Sequence, residues 1–230
     1  MLGGVDLMIG EGRTVAIIGE SGCGKSVLLK IIIGLLKPNS GSVLFDGLDI
    51  TRIKYKELVE IRKRFGMVFQ GSALFDSLTV EENVGLGLRR HTKLSEEEVR
   101  KRIGWCLDHV GLKGVDDKFP AELSGGMKKR VAFARAIAMN PQFLLYDEPT
   151  TGLDPVTARR INQLIGYLNQ KLSVTSIIVT HDIATVSRVA DRMAMLHQGV
   201  IRFEGTPEEM MGAEDPVVRQ FVTAQGMEKV

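Results

Sequence analysis

At 230 residues, with 44% hydrophobic and 25% charged side chains, the chain can bury a substantial core as one or two domains, which excludes a disordered or fibrous protein. A formal net charge of +2 provides no bulk field to recruit nucleic acid or an acidic substrate, and no nucleic-acid partner is expected. The two cysteines, Cys23 and Cys106, make no paired framework and fit a reducing cytoplasm.

Residues 1–6 carry neither a charged n-region nor a long apolar h-region, so no signal peptide is expected there. Thr14–Ile18 is an apolar, β-branched run that predicts a buried strand. Gly19-Glu20-Ser21-Gly22-Cys23-Gly24-Lys25-Ser26 follows it, then Val27 and a helical stretch over residues 26–36. This is G-x-x-x-x-G-K-S between a strand and a helix, the context that makes the pattern a phosphate-binding loop. Glycines let successive N–H groups turn toward one anion, and the helix N-terminus adds its positive end. Lys25 is placed to reach the β- and γ-phosphates and the Ser26 hydroxyl to ligate Mg²⁺. A glycine-rich turn that binds nothing is the plain alternative, and the two correct flanks argue against it. Residues 27–36 are the most apolar stretch, but it is short and contains Lys30, so it predicts a core helix and no membrane span. Any action at a membrane would run through a partner.

Asp46-Gly47 between residues 42–45 and 48–50 predicts a hairpin, residues 55–63 a short helix, and residues 65–69 a strand that ends at Gln70. Residues 71–140 then read as helical. Thr79-Val80-Glu81-Glu82 and Ser95-Glu96-Glu97-Glu98 are capping boxes that start helices near Val80 and Glu96, with Gly111 and Gly114 closing the second. A long helix follows Leu123-Ser124-Gly125-Gly126 and runs to about Met139. The basic triplets Arg62-Lys63-Arg64 and Lys128-Lys129-Arg130 read as solvated faces. Strand and helix alternate again from Phe143–Asp147, with a helix over residues 155–171, a strand over Thr175–Thr180, a helix over 183–189, and a hairpin turning at Gln198-Gly199. Thr206-Pro207-Glu208-Glu209 is a third capping box.

Apolar strands alternating with helices imply a largely parallel sheet whose ligands bind beyond the carboxyl ends of the strands. Gln70, Asp147 and His181 each stand at or just past such an end, as does the phosphate loop. Asp147, closing an apolar strand, suits Mg²⁺ coordination opposite Ser26, and Glu148 is a candidate to orient or deprotonate an attacking water. A plain cap before Pro149 is the alternative for this pair. Ser124-Gly125-Gly126 at a helix start makes a second anion site. Taken alone, the segment reads better as an N-cap followed by a flexible turn.

Taken together, these segments resemble the nucleotide-binding subunits of ABC transporters. Walker A is residues 19–26, the Q-loop is Gln70, and the signature is Leu123-Ser124-Gly125-Gly126-Met127. Walker B is Phe143–Asp147 followed by Glu148, the D-loop is Gly152-Leu153-Asp154-Pro155, and the switch histidine is His181. The resemblance implies an α/β P-loop NTPase fold. Residues 1–70 and 141–230 would form a RecA-like and antiparallel β core, and residues 71–140 an inserted helical subdomain. It implies a head-to-tail homodimer with each ATP between Walker A of one copy and the signature of the other. Ser124, Gly125, Gly126 and Asp154 would then act in trans. Gln70 would contact Mg²⁺ or the lytic water, and His181 the γ-phosphate and Glu148. Closer resemblance is to the ATPases of Mla-type phospholipid transporters that work with MCE proteins. It is carried by Met127, by residues 71–80 and 88–92, and by residues 215–221. That resemblance implies an integral membrane permease docked near residues 71–88, an MCE-domain protein, a small STAS-domain subunit, and a peripheral position on the cytoplasmic face of the inner membrane. An importer or exporter of another cargo, such as an amino acid, peptide or organic solvent, is the alternative, followed by a soluble ABC protein that does not transport. The family's usual aromatic residue that stacks on adenine has no counterpart before Gly19, so no adenine-stacking residue is assigned.

Overall fold

The structure is a computed structural model and describes residues 2–225. In chain order the elements are β1 (Thr14–Ile18), α1 (Lys25–Ile32), β2 (Leu44–Phe45), β3 (Leu48–Asp49), α2 (Tyr55–Arg62), β4 (Phe65–Val68), α3 (Val80–His91) and α4 (Glu96–His109). There follow α5 (Gly125–Ala138), β5 (Phe143–Asp147), α6 (Pro155–Leu172), β6 (Thr175–Thr180), α7 (Ile183–Val186), β7 (Arg192–His197), β8 (Val200–Gly205), α8 (Pro207–Met211) and α9 (Pro216–Ala224). The described residues form two compact units: residues 2–63 with 175–225, and residues 64–174.

In the first unit β1 is buried along its whole length and lies between β6 and β7, parallel to both. Burial on both faces is why Thr14–Ile18 is a continuous apolar run and does not alternate. β7 and β8 pair antiparallel around Gln198 (φ 48°) and Gly199 (φ 85°), a two-residue turn whose twist suits a hairpin. β2 and β3 turn in the same way at Asp46 and Gly47. The strands thus include a parallel set and an antiparallel part.

The first helix is shorter than its apolar run predicts. It stops at Ile32, because Gly34 adopts a left-handed φ of 66° and Leu58 of α2 packs where a side chain on Gly34 would stand. Arg62 of α2 then satisfies the orphaned helix-end carbonyls, donating from Nε to Ile33 O at 3.1 Å and from Nη2 to Gly34 O at 2.5 Å. Arg62 is therefore a helix cap and not part of a solvated face. α7 ends at Val186, three residues before the predicted end, in a turn closed by the Val189 and Ala190 amides on the Val186 carbonyl. α9 is an element that sequence periodicity missed. Its signal was present in Asp215-Pro216: Asp215 Oδ1 accepts from the Val217 and Val218 amides, and Val218, Phe221 and Val222 are buried.

In the second unit β4 and β5 pair in parallel, with Val68 opposite Tyr146. α5 packs against β4, and Gly66 makes this approach possible, since a Cβ there would lie 2.2 Å from the Ala136 carbonyl oxygen. α3, α4 and α5 pack on one another. Both predicted capping boxes form: Thr79 Oγ1 accepts from the Glu82 amide at 3.2 Å, and Ser95 Oγ from the Glu98 amide at 3.3 Å. Phe133, Ile137, Leu144 and Tyr146 are fully buried, and the Phe133 and Tyr146 rings lie 5.3 Å apart. Residues 71–140 lie wholly within this unit.

Candidate functional site

In the first unit the phosphate loop bridges the end of β1 and the start of α1. Gly19 has φ 154°, and a Cβ on it would stand 2.3 Å from the Leu196 carbonyl oxygen, so only glycine fits. Gly22 and Gly24 have φ 81° and 109°, left-handed values that turn the backbone back toward the helix. Lys25 is buried, and its Nζ donates to the Gly19 and Glu20 carbonyls at 2.9 Å each. Glu20 and Ser21 are exposed, Cys23, Gly24 and Ser26 are half-buried, and Val27 is exposed. Ile18 is the register partner of Thr180, so Gly19 and His181 are the first residues past neighbouring strand ends. His181 is exposed.

The second unit gathers the remaining candidates. Two steps past the Val68–Tyr146 pair, Gln70 and Glu148 occupy corresponding positions beyond the ends of β4 and β5. Asp147 and Glu148 are both buried. Glu148 has a left-handed φ of 47°, and a tight turn holds it there: the Thr151 hydroxyl donates to Glu148 Oε2 at 3.2 Å and the Thr151 amide to its carbonyl at 3.3 Å. A non-glycine residue in that region is strained, and such strain concentrates at functional sites. Ser124 caps α5, its Oγ accepting from the Met127 amide at 3.3 Å. Ser124 and Gly125 are exposed. Gly126 lies against α6, where a Cβ would approach Thr157 Cγ2 at 2.9 Å. Asp154 caps α6, accepting from the Val156 and Thr157 amides at 3.0 Å each. The hydrogen bond with Thr157 holds its carboxyl below the usual range.

The basic run of α5 does not form a uniformly solvated face. Lys129 is 4% exposed, and its Nζ donates to the main-chain carbonyl of Gln70. Burial pushes its ammonium below the ordinary lysine range, while the Asp147 and Glu148 carboxylates oppose that shift. Arg135, six residues further along α5, donates to the Ala73 and Ser72 carbonyls at 2.6 and 2.8 Å. Sequence reading missed both residues. For Lys129 the signal was helical spacing, since Lys129, Ala132, Phe133 and Ala136 fall at i, i+3, i+4 and i+7 and are all buried in α5.

Residues 2–151 match the ABC transporter family. The chain belongs to that family. It is 45% identical, over 96% of its length, to the probable ribonucleotide transport ATP-binding protein mkl of Mycobacterium leprae, and spans 64% of that relative. It is 43% identical, again over 96% of its length, to the intermembrane phospholipid transport system ATP-binding protein MlaF of Haemophilus influenzae, covering 84% of it. Among solved structures, the dimeric ATP-binding cassette MJ0796 in a post-hydrolysis state bound to ADP and Pi superposes with a TM-score of 0.82 at 40% identity, over 90% of each chain. The ABC fold and the Mla-type resemblance read from the motifs are thus both supported by similarity along nearly the whole chain.

Proposed function

We propose that this ABC protein binds and hydrolyses ATP to power a membrane permease, as a head-to-tail pair of copies, and that its cargo is phospholipid. The observation that carries this reading is the phosphate loop: a buried Lys25 within a glycine turn at the end of a parallel strand, with His181 leaving the adjacent strand beside it. Residues 19–27 take the phosphates. Glu148, buried and pinned by Thr151, is the general base toward water, with Gln70 and His181 orienting the reactants. The oxygen donors Ser26, Asp147 and Gln70 suit Mg²⁺, a hard cation that binds through few protein oxygens together with phosphate. Bound there, Mg²⁺ would neutralise charge on the phosphates. Ser124, Gly125, Gly126 and Asp154 serve the partner copy's nucleotide, a reading supported by the exposure of Ser124, Gly125 and Asp154 at two capped helix starts.

Partner docking is assigned to the α3 region. A cavity of about 470 Å³ there is lined by Leu78, Glu81, Leu86, Arg89, Glu96 and Asp117. Arg89 bridges Glu81 at 2.9 Å and Glu96 at 2.5 Å. No helix among the described residues is long and apolar enough to cross a membrane, which suits a peripheral subunit carried by a permease on the cytoplasmic face. An MCE-domain protein and a STAS-domain subunit complete the proposed assembly. Another cargo is the second reading, favoured by the name of the mycobacterial relative.

Glu148→Gln separates binding from chemistry. The variant is expected to bind ATP, to lose about 100-fold or more in turnover, and to accumulate as a dimer in light scattering. Parental turnover would remove Glu148 from the mechanism. Lipid analysis of the complex purified with its permease tests the cargo, and absence of phospholipid would favour the second reading.

A further inference from the structure

The geometry points to Lys129 as a positioning residue that ties the backbone of Gln70 to the helix beginning at Ser124. The inference rests on the roles proposed above for Gln70 and Ser124. Lys129 is buried inside α5 and donates to the Gln70 carbonyl. Arg135 on the same helix takes the Ser72 and Ala73 carbonyls. Ser72 and Ala73 are consecutive non-glycine residues with left-handed φ of 64° and 48°, a conformation that persists only where surrounding contacts enforce it. Beyond them, Asn83 of α3 fixes the loop by accepting from the Phe75 amide at 2.9 Å and donating to the Phe75 carbonyl at 3.1 Å.

Three carbonyls in the stretch after β4 therefore rest on two cations of one helix. A buried ammonium is tolerated when acceptors and counter-charges face it, and Lys129 has the Gln70 carbonyl and the field of Asp147 and Glu148. The consequence is mechanical. The N-terminus of α5 presents Ser124 and Gly125 to solvent, while its body grips the Gln70 turn. A displacement of α5 on engaging a phosphate is carried to the Gln70 backbone without a flexible joint between them. Two elements assigned to different nucleotides thus move as one body, and engagement at Ser124 sets the position of Gln70.

Hydrogen exchange of residues 69–75 in the full chain reads the tie directly, and ATPase kinetics read its consequence. Lys129→Met is expected to speed exchange there about tenfold, and to lower kcat about tenfold while KM for ATP stays within about twofold. Lys129→Arg, which restores a buried donor, is expected to recover both. In a Gln70→Ala background, Lys129→Met should change kcat by less than about twofold, because no side chain remains to be positioned. Unchanged exchange in Lys129→Met, or kcat losses that multiply in the double variant, would overturn the proposal. If Gln70→Ala alone keeps parental kcat, the role of Gln70 falls, and the exchange measurement still decides whether the tie exists. Should Lys129→Met fail to fold, Lys129→Gln keeps an N–H donor toward the Gln70 carbonyl without the charge. It is then expected to show intermediate exchange, and parental exchange and kcat in that variant would overturn a role for the ammonium.

Discussion

Ile18 and Thr180 are register partners on adjacent parallel strands, so the phosphate loop and His181 leave the sheet side by side. The loop lysine, Lys25 at the first position of α1, is buried, and its ammonium is supplied with two carbonyl acceptors at 2.9 Å. Replacing Lys25 with Ala removes a charge-assisted donor to phosphate, a loss of about 1.5–3 kcal/mol, or about 10- to 100-fold in affinity. Titration with a fluorescent ATP analogue should show that weakening with the far-ultraviolet circular dichroism unchanged. Parental affinity would displace Lys25 from the phosphate site.

The two cysteines should differ sharply in reactivity. Cys106 is fully buried in α4, and burial pushes its thiol up to about 11, so only about a thousandth of it is thiolate near pH 8. Cys23 is half-buried within the phosphate loop. Alkylation followed by mass spectrometry should label Cys23 at least about tenfold faster than Cys106, and ATP should slow the Cys23 reaction. Labelling of Cys23 that ignores saturating ATP would argue against nucleotide in this loop.

Unit stability should depend on the contact of α5 with the β4–β5 pair. Phe133 is fully buried against Tyr146, and Phe133→Ala is expected to destabilise the protein by about 3–5 kcal/mol. Gly66→Ala introduces a methyl group 2.2 Å from the Ala136 carbonyl oxygen and must push α5 outward. Urea denaturation should show a lower midpoint for both variants than for Ala substitution at exposed Glu97.

α9 carries a pH dependence of its own. Arg202 donates to Asp215 at 2.9 Å from Nε, and this bond holds the Asp215 carboxyl below the ordinary aspartate range. A carboxylate with a depressed folded pKa contributes stability above its unfolded value of about 3.9, and that contribution is lost as pH falls through the folded value. Amide exchange of residues 217–222 should therefore be constant from neutral pH to about pH 5 and accelerate at lower pH, after correction for intrinsic rates. Asp215→Asn should abolish the acid-dependent part. An unchanged profile in that variant would assign the acid lability to another group.

The local signals were legible because each is short and has its own physical cause. Alternation of buried strands, serine and threonine caps with a following glutamate, and the glycine turn before Lys25 all act within a few residues. They were found where the sequence placed them. α9 could have been found in the same way, since its aspartate cap and first-turn proline are local too.

What sequence alone determined was the set of phosphate-binding and acidic motifs, their order, and the strand ends that carry them. Tertiary structure decided where α1 stops, because the cause is Leu58 and Arg62 packing from a different helix. It also decided that Lys129 turns inward while its basic neighbours remain half-exposed, because the Gln70 carbonyl and two carboxylates that make burial of the charge tolerable come from distant segments of the chain. A local pattern cannot encode an acceptor supplied from fifty-nine residues away.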